Sequence, residues 1–587
     1  MKKTLLLFLT LFLSTSLFAM SKKQSSSQNQ IDDWDYNATI ESHSKKSRLG
    51  NSAIMRKMTK SVAPVAMEAS LGFSVGGAKD ADNFYENIKQ GYLPKIEAMT
   101  YEGVFYDHHF ETASKEACET LFCPSYTTAI SKNIFTDDKE YFLSVGLDSN
   151  IKESDFTRKK LNIVVVLDIS GSMSSPFNQY YYDKNRRIES KDSKTKMTLA
   201  NKAIVSMSTH LSDDDTLGVV LFDNQAYYAK PLRPIIDTNM DAIKKHILDL
   251  KPRGGTNWSA GYKAGVALFD TLEGGLKDPS IYENRIIFLT DAMPNRGELN
   301  KDGLFAIAKN ASQKHIYTTF IGIGVDFNND LVEAVSKTKG ANYYAIHSSK
   351  EFKKRLDEEF DYMVTPLVFD LNLKLDSNSY EIIAVYGSPE ANLATGELMR
   401  VNTLFPSPTN EEGARGGVIL LKLKKRYPNN DALTLTVNYH DRTGKAYSST
   451  KSATFKEGLY HDNKSTQKAI LLSSYVDLMK NFSLDMRKGC NDKMTYPPFI
   501  SLKRTCSIYP PNRDIYPHVK TWERKSCPLL VSEGYKKIFA LFSTHFKNEM
   551  KEIGDESLSK ELTLLNTLKS NKNHIEGKVD DWQGMHR

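Results

Sequence analysis

The chain has 587 residues, which is too long for one hydrophobic core and predicts about three to four domains. Its hydrophobic fraction of 40% and charged fraction of 25% are those of ordinary globular proteins. The formal net charge of +7 is small for this length and no long basic run occurs, so the charge does not indicate a nucleic-acid partner.

Residues 1–19 have the pattern of a secretory signal. Lys2 and Lys3 precede an apolar run over residues 5–18, and Ala19 follows it. A short basic segment, an apolar core and a small residue are typical of a cleaved signal, and the run is shorter than the roughly 20 residues of a membrane span. We therefore expect an exported protein that is periplasmic, on the cell surface or secreted. Membrane contact is expected only if the signal stays uncleaved.

Two segments precede the strongly periodic part of the chain. Residues 20–77 begin with a Ser-, Lys- and Gln-rich stretch and show no sustained periodicity, which predicts a flexible tether. Residues 78–160 form a β-containing flank. There we predict a helix over Asp82–Gly91 and, from aromatic and β-branched residues, strands over Thr100–Tyr106 and Glu140–Leu147.

Residues 161–362 alternate apolar runs with amphipathic stretches. This alternation predicts a central α/β domain with a doubly wound, Rossmann-like parallel sheet covered on both faces by helices. Such sheets bind ligands beyond the carboxyl ends of their strands. The predicted strands are Asn162–Leu167, Thr216–Phe222, Arg285–Leu289 and Ile316–Ile323. The predicted helices are Lys196–Leu211, Asp241–Leu250, Ser259–Leu272, Lys301–Lys314 and Ser349–Phe360.

The sequence changes character again after residue 362. Short β-type runs separated by turn sequences predict a β-sandwich over residues 363–460. Helical periodicity dominates residues 461–587. Because each β-rich flank has few strands for a closed core, we put forward the hypothesis that both pack into one shared β unit, with the central domain inserted into it. The predicted strands are Leu367–Leu375, Glu381–Tyr386, Gly417–Leu423 and Leu433–Asn438, and the predicted helices are Lys468–Lys480, Glu533–Glu549 and Ser557–Lys569.

The chain contains five cysteines, which are candidates for disulfides in an exported protein. Cys118 and Cys123 are close enough to pair most economically with each other. Cys490, Cys506 and Cys527 lie in the helical C-terminal region, and their pairing is left open because their number is odd.

Three segments of the central domain carry oxygen-bearing side chains. Asp168, Ser170 and Ser172 follow the first buried strand, Thr256 opens a helix, and Asp291 ends another buried strand. In a doubly wound sheet these three loops converge on one edge. Oxygen ligands without histidine or thiol suit a hard cation, and two carboxylates nearly balance a divalent charge. We therefore expect Mg²⁺, or Mn²⁺ or Ca²⁺ in its place, with room for water and one outside ligand.

The same residues resemble a known family. Asp168-Ile169-Ser170-Gly171-Ser172, followed by Thr256 and then Asp291, is similar to the metal-ion-dependent adhesion site of von Willebrand factor type A domains. Such domains occur in integrins, von Willebrand factor and many bacterial surface proteins. The resemblance implies hydroxyl ligands from the two serines and the threonine, with both aspartates acting directly or through water. The order of a β-rich flank and then this domain also resembles inter-alpha-trypsin inhibitor heavy chains. A further segment, Asn83–Asn87, is similar to one in bacterial exported proteins.

Residues 174–194 depart from the family pattern, which usually passes from this turn into its helix within a few residues. The insertion carries Tyr180, Tyr181, Tyr182, Arg186 and Arg187. Because tyrosine and arginine are favoured at interfaces, we expect these residues to form a partner-binding rim around the metal site. The alternative is a surface loop without a role.

These patterns favour a binding protein over an enzyme. The expected function is that of an exported adhesion or assembly protein whose metal captures the acidic side chain of a protein ligand. The alternatives are a metal-dependent hydrolase, which would use the ion as a Lewis acid, and a structural subunit of a periplasmic complex. Neither histidine nor cysteine accompanies the three ligand segments in sequence, which argues against the hydrolase.

Overall fold

The computed structural model describes residues 30–37, 70–111, 120–183, 194–272, 275–276, 278–347, 354–388, 398–428, 432–490 and 522–575. The predicted signal over residues 1–19 lies outside these residues, as do Cys118, Cys506, Arg186 and Arg187, and the side chain of Cys123 is not described. No helix within these ranges is long and apolar enough to cross a membrane.

The N-terminal flank contains the helix predicted over Asp82–Gly91, and two strands precede this helix. Its elements are β1 (Ser70–Val75), β2 (Gly77–Ala78), α1 (Asp82–Lys89), α2 (Tyr101–Tyr106), β3 (His109–Phe110), β4 (Phe122–Lys132) and β5 (Lys139–Lys152). The predicted strand over Thr100–Tyr106 is wrong, because this segment is helix α2. Thr100 caps the helix, since its side chain accepts a hydrogen bond of 3.1 Å from the Gly103 backbone N–H.

The predicted tether over residues 20–77 is wrong at two places. Strand β1 belongs to a sheet, and residues 30–37 lie against the central domain. In this N-terminal strap, the Ile31 backbone N–H donates to the Asp237 carbonyl at 2.9 Å. The ring of Trp34 stacks on His246 with a centroid distance of 5.4 Å. Both segments are ordered by contacts with distant residues, which leave no periodic signal in the sequence.

The central domain alternates strands and helices. Its elements are β6 (Lys160–Asp168), α3 (Lys196–Met207), β7 (Thr216–Phe222), β8 (Ala226–Pro234), α4 (Met240–Asp249), α5 (Trp258–Leu268), β9 (Tyr282–Thr290), α6 (Lys301–Gln313), β10 (Ile316–Ile323), α7 (Asn329–Ser336), β11 (Asn342–Ile346) and α8 (Phe360–Val364). A π-helical turn over Lys354–Glu358 precedes α8 and lies within the predicted helix over Ser349–Phe360.

The sheet of the central domain is mixed. Its order is β2-β11-β10-β9-β6-β7-β8, in which β8 alone runs antiparallel to its neighbour. The prediction of a fully parallel sheet is therefore wrong at this edge, because a short connection joins β7 to β8 as a hairpin. At the other edge, β2 adds a strand from the N-terminal flank.

Both faces of this sheet are buried. Along β6, Ile163, Val165 and Leu167 pack in one apolar cluster with residues of α3 and α4. Val164 and Val166 pack in a second cluster with residues of α5, α6 and α7. Burial on both faces explains why the strand reads as a continuous apolar run.

The residues after α8 form the second half of a β unit. The strands of this part of the chain are β12 (Val368–Asp376), β13 (Tyr380–Tyr386), β14 (Leu398–Ser407), β15 (Thr409–Asn410), β16 (Gly413–Arg415), β17 (Val418–Lys425), β18 (Leu433–Asp441), β19 (Ala446–Ala453) and β20 (Tyr460–His461). Strands of both flanks join in one ten-stranded sheet, ordered β13-β17-β5-β1-β14-β12-β18-β19, with β4 beside β5 and β20 beside β4. This arrangement confirms the hypothesis of a shared β unit and shows that residues 363–460 do not form a sandwich by themselves. Strands β15 and β16 are not part of this sheet, because they pair with β3 in a separate three-stranded sheet.

The C-terminal region packs its helices on the N-terminal flank. Its elements are α9 (Lys464–Arg487), β21 (Val531–Ser532), α10 (Glu533–Ile553), α11 (Ser559–Lys569) and β22 (His574–Ile575). Their apolar side chains share one buried cluster with residues of α1 and α2. A disulfide joins Cys490, after α9, to Cys527, before β21, and so settles one pairing that the sequence left open.

Candidate metal site

The first loop of the candidate site follows directly from strand β6. Asp168 is the last residue of that strand, and a 3-10 turn over Gly171–Ser174 comes two residues later. The Ser170 backbone N–H donates to Asp168 Oδ1 at 2.8 Å, and the hydroxyl oxygens of Ser170 and Ser172 are 3.1 Å apart. All three side chains are buried. The alternating motif therefore gathers one carboxylate and two hydroxyls at the carboxyl end of the strand.

The second loop is held against the first by a backbone hydrogen bond. The Gly171 N–H donates to the Gly254 carbonyl at 3.0 Å. Gly254 has a φ of +72°, and a Cβ there would lie 3.0 Å from Asp223 Oδ2, so the close approach requires glycine. Two residues later, Thr256 is buried and its backbone N–H donates to Asn295 Oδ1 at 2.9 Å. These contacts bring the loop of Thr256 beside the serine turn.

The third loop follows strand β9 and is tied to the first by side chains. Thr290, the last residue of β9, donates its hydroxyl to Asp168 Oδ2 at 2.6 Å. The next residue, Asp291, is fully buried, and its Oδ2 accepts a hydrogen bond of 3.0 Å from Lys196 Nζ. Its Oδ1 has no hydrogen-bond partner among the described residues. Lys196 Nζ also lies 2.5 Å from Asp326 Oδ1, which extends the cluster to a fourth loop.

The charges of this cluster leave an excess of negative charge. Burial raises the pKa of Asp168 to about 7, and the nearby Asp291 raises it as well, against hydrogen bonds from Ser170 and Thr290. Burial alone would lower the pKa of Lys196, but the neighbouring carboxylates hold it above its usual value. The cluster contains the carboxylates of Asp168, Asp291 and Asp326. If the charge of Lys196 balances one of them, two carboxylates remain, and a divalent cation would neutralise their charge.

The donor set fits a hard divalent cation. It offers three hydroxyls and two carboxylates, and one carboxylate oxygen, Asp291 Oδ1, has no hydrogen-bond partner among the described residues. In the described ranges no group of three or more His, Cys, Asp or Glu is placed to hold a metal ion. Any metal centre at this edge therefore depends on the hydroxyls as much as on the carboxylates.

Tyr180 of the predicted rim makes contacts within the chain. Its hydroxyl donates to Asn87 Oδ1 at 2.9 Å, and its ring packs edge-on against Tyr92 at a centroid distance of 5.0 Å. The tyrosine therefore joins the insertion to the N-terminal flank. Arg186 and Arg187, which we also predicted at the rim, lie outside the described residues.

Tyr181 and Tyr182 do lie beside the site. The Tyr181 backbone N–H donates to Asp326 Oδ2 at 3.0 Å. The Tyr182 hydroxyl donates to Glu523 Oε1 at 2.7 Å, and this same oxygen accepts from Asn295 Nδ2 at 3.1 Å. Glu523 was missed by the sequence analysis, which treated residues 461–587 as a separate region. No local pattern marks a residue more than 200 positions away in the chain as a neighbour of this site.

Lys196 and Asp326 were also missed as members of the site. Lys196 opens helix α3, where the sequence pattern predicted only the start of a helix. Its burial between two carboxylates is the kind of signal that only the packed structure reveals, because a lysine at a helix start is ordinarily exposed.

Comparisons with known proteins identify the type of the central domain. A model of the von Willebrand factor type A domain matches residues 162–358. Inter-alpha-trypsin inhibitor heavy chain H1 of Mesocricetus auratus is 23% identical over 226 residues, which are 38% of this chain and 23% of that protein. Heavy chain H2 of Mus musculus is 24% identical over 209 residues, 35% of this chain and 20% of that protein. The match thus spans less than a quarter of the length of these relatives.

Solved structures with the same domain are also similar to this chain. The von Willebrand factor type A protein from Catenulispora acidiphila has a TM-score of 0.40 at 15% identity, covering 64% of this chain and 84% of its own. The ArnB paralog VWA2 from Sulfolobus acidocaldarius has a TM-score of 0.36 at 13% identity, and the match covers 78% of this chain and 100% of that protein. The family match over residues 162–358 contains all five candidate ligands. The chain therefore contains a von Willebrand factor type A domain, matched over residues 162–358.

Proposed function

We propose that the type A domain binds a protein partner through a divalent cation, Mg²⁺ or in its place Mn²⁺ or Ca²⁺. Ser170, Ser172 and Thr256 would supply hydroxyl ligands, and Asp168 and Asp291 would act directly or through water. The observation that carries this proposal is the buried and unpartnered Asp291 Oδ1, beside hydroxyls held by hydrogen-bonded loops. A buried carboxylate oxygen without a partner is costly, and a cation would compensate it.

The residues around the ligands would keep them oriented. The Thr290 hydroxyl and the Ser170 backbone N–H each donate a hydrogen bond to one oxygen of Asp168. Lys196 donates a hydrogen bond to Asp291 Oδ2. Such outer contacts fix ligand positions before a metal binds. When bound, the cation would supply an electrophilic position for the acidic side chain of a partner, because the two carboxylates only neutralise its charge.

A binding function is favoured over hydrolysis. Type A domains commonly mediate protein–protein adhesion. Among the described side chains that hydrogen-bond to the five candidate ligands, none is a histidine or cysteine that could serve as a general base or nucleophile. We therefore propose an adhesion or assembly role without catalysis.

Export is part of the proposal. The basic residues and apolar run at the start of the chain are typical of a secretory signal. The disulfide between Cys490 and Cys527 is typical of an oxidising compartment. Both features favour a protein that acts outside the cytosol.

The metal site is tested by titrating Mg²⁺ into the full chain by calorimetry. Asp168→Ala should abolish binding, because it removes a charged member of the site. Ser172→Ala should weaken binding about tenfold, the loss of about 1.4 kcal/mol for one oxygen ligand. Circular dichroism should remain close to that of the unchanged protein, because the sheet does not need the ion.

The matched control is Ser174→Ala, an exposed serine in the same turn whose hydroxyl donates to the Gly171 carbonyl. It should bind Mg²⁺ as the unchanged protein does. Equal Mg²⁺ affinity in all four proteins would remove the proposed metal site. For the partner, capture from the exported fraction should be lost when a chelator is added.

A further inference from the structure

The strongest unexplained feature of the molecule is a segment of the C-terminal region at the edge of the metal site. We propose that Trp522 and Glu523 form an internal ligand of the type A domain, which occupies the surface where an acidic partner binds. A partner would then bind by displacing this segment. The inference rests on the proposed function and names the chemistry of the partner, a peptide with a glutamate next to an aromatic residue.

Glu523 reaches the site through two hydrogen bonds. Its Oε1 accepts from the Tyr182 hydroxyl at 2.7 Å and from Asn295 Nδ2 at 3.1 Å. The other end of the Asn295 amide accepts the backbone N–H of Thr256 at 2.9 Å. One side chain thus connects the carboxylate of Glu523 to a residue proposed to bind the metal. Glu523 is 8% exposed, so the contact is buried.

The Tyr182 hydroxyl is suited to holding a carboxylate. Burial raises its pKa, and so do the hydrogen-bonded Glu523 and the nearby Asp291. The hydroxyl therefore stays protonated and donates at all ordinary pH values.

Trp522 anchors the internal ligand in the apolar core of the domain. Its side chain is 4% exposed and belongs to the cluster formed by α5, α6 and α7. Its indole N–H donates to the Leu299 carbonyl at 2.9 Å, and its own carbonyl accepts from Asn328 Nδ2 at 3.3 Å. Tryptophans in well-packed, desolvated pockets are among the residues that contribute most to binding at interfaces.

The residues that follow fasten the segment to the rest of the chain. The Ser526 backbone N–H donates to Asp183 Oδ1 at 3.2 Å, in the same insertion as Tyr182. The next residue, Cys527, is joined to Cys490, and its carbonyl accepts a hydrogen bond of 2.8 Å from the Leu93 N–H. The segment is therefore held at a high effective concentration beside the site, which a free peptide must overcome.

The surface thereby has a defined chemistry. Tyr182 and Asn295 bind a carboxylate, and the apolar site under Leu299 binds an aromatic ring. A partner that presents both groups replaces the contacts of the internal ligand one for one. An acidic side chain without the aromatic neighbour would leave the apolar site unfilled.

The test uses a fluorescent peptide with the sequence of residues 520–526, Lys-Thr-Trp-Glu-Arg-Lys-Ser, and the full chain in Mg²⁺. Its binding is measured by fluorescence anisotropy to the unchanged protein and to the Glu523→Gln and Trp522→Ala/Glu523→Gln variants. We expect the variants to bind the peptide at least tenfold more tightly than the unchanged protein, because their internal ligand is weakened. A peptide with glutamine in place of glutamate should not bind.

The matched control is Glu552→Gln, an exposed glutamate of α10, which should behave as the unchanged protein does. Hydrogen exchange gives a second measurement that does not depend on peptide affinity. The backbone amides of residues 522–529 should exchange at least tenfold faster in Glu523→Gln and at the same rate in Glu552→Gln.

Equal peptide binding by Glu523→Gln and the unchanged protein overturns the inference. Faster exchange without peptide binding by either variant also overturns it, because the segment is then only a structural brace. If the variants bind the peptide equally well in Mg²⁺ and in chelator, the internal ligand stands and the metal-dependent function fails. The two proposals can thus fail separately.

Discussion

Lys196 shows how a single buried side chain shapes the candidate site. Its ammonium group contacts Asp291 and Asp326, and all three side chains have no exposed surface. Removing either carboxylate would leave a buried cation with one partner fewer, which is strongly unfavourable. The lysine therefore keeps Asp291 in place with one oxygen bound and the other oxygen available to a metal.

Asp477 provides a residue-scale prediction outside the site. It lies on α9 and accepts a hydrogen bond of 2.5 Å from the Tyr101 hydroxyl. Burial raises its pKa from 3.8 to about 7, against that hydrogen bond and the nearby lysines. Between pH 4 and 7 the folded chain therefore binds more protons at Asp477 than the unfolded chain, so this residue makes stability fall as the pH rises.

Asp477→Asn should reduce this loss of folding stability with rising pH, because asparagine does not titrate. The difference between 3.8 and about 7 bounds the effect at roughly 4 kcal/mol. Urea denaturation at pH 4.5 and at pH 7.5 measures it for each protein. Asp270→Asn, at an exposed position, is the control and should leave the pH dependence as it is. An unchanged pH dependence in Asp477→Asn would contradict the prediction.

At the scale of elements, the N-terminal strap and the insertion share one property. The strap and residues 174–183 of the insertion are each held by hydrogen bonds with residues that are distant in the sequence. The strap places Asp33 Oδ2 3.3 Å from Lys230 Nζ and 2.9 Å from Arg233 Nε. Burial lowers the pKa of Lys230 to about 8, against the effect of Asp33. The strap therefore supplies a counter-charge that a lysine inside the domain needs.

Asp33→Ala should lower the free energy of unfolding by about 1–3 kcal/mol, because it leaves Lys230 buried with one partner fewer. Chemical denaturation measures the loss, and exchange of the amides of residues 30–37 should become faster. Asp35→Ala is the matched control, an exposed aspartate in the same strap. If both variants are equally stable, the strap does not contribute through Asp33.

At the scale of the whole molecule, an ionic cluster joins the type A domain to the β unit. Glu359 Oε1 lies 2.5 Å from Arg415 Nη1 on β16, and its Oε2 lies 3.2 Å from Arg355 Nη1. Arg355 in turn contacts Asp107 of the N-terminal flank at 2.7 Å. Since these groups are buried, each charge depends on its partners in another part of the chain.

Glu359→Gln should destabilise the whole chain by about 3 kcal/mol, because it leaves two buried guanidinium groups short of one negative charge. The unfolding transition in urea should shift as one, whether it is followed by circular dichroism or by tryptophan fluorescence. Its control is Glu358→Gln, the exposed neighbour, which should unfold as the unchanged protein does. Separate transitions for the two parts would show that the cluster does not couple them.

The proposed ligands show how much of the candidate site can be predicted from the sequence. Asp168, Ser170 and Ser172 lie within five positions, Thr256 stands just before a predicted helix, and Asp291 stands just after a predicted strand. The structure brings these three loops together, as expected from the carboxyl edge of a sheet. Strand β8 was not predicted, because its partly exposed residues do not form a continuous apolar run.

By itself the sequence determined the α/β alternation of the type A domain and the residues proposed to bind a metal, because both are written in short, contiguous patterns. Only the tertiary structure decided that the two flanks share one sheet and that the charge of Lys196 balances that of Asp291. The same is true of the hydrogen bonds by which Asn295 links Glu523 to Thr256. The physical reason is that these contacts join residues far apart in the chain. Their stability comes from burial and pairing in the folded state, which no local pattern of side chains encodes.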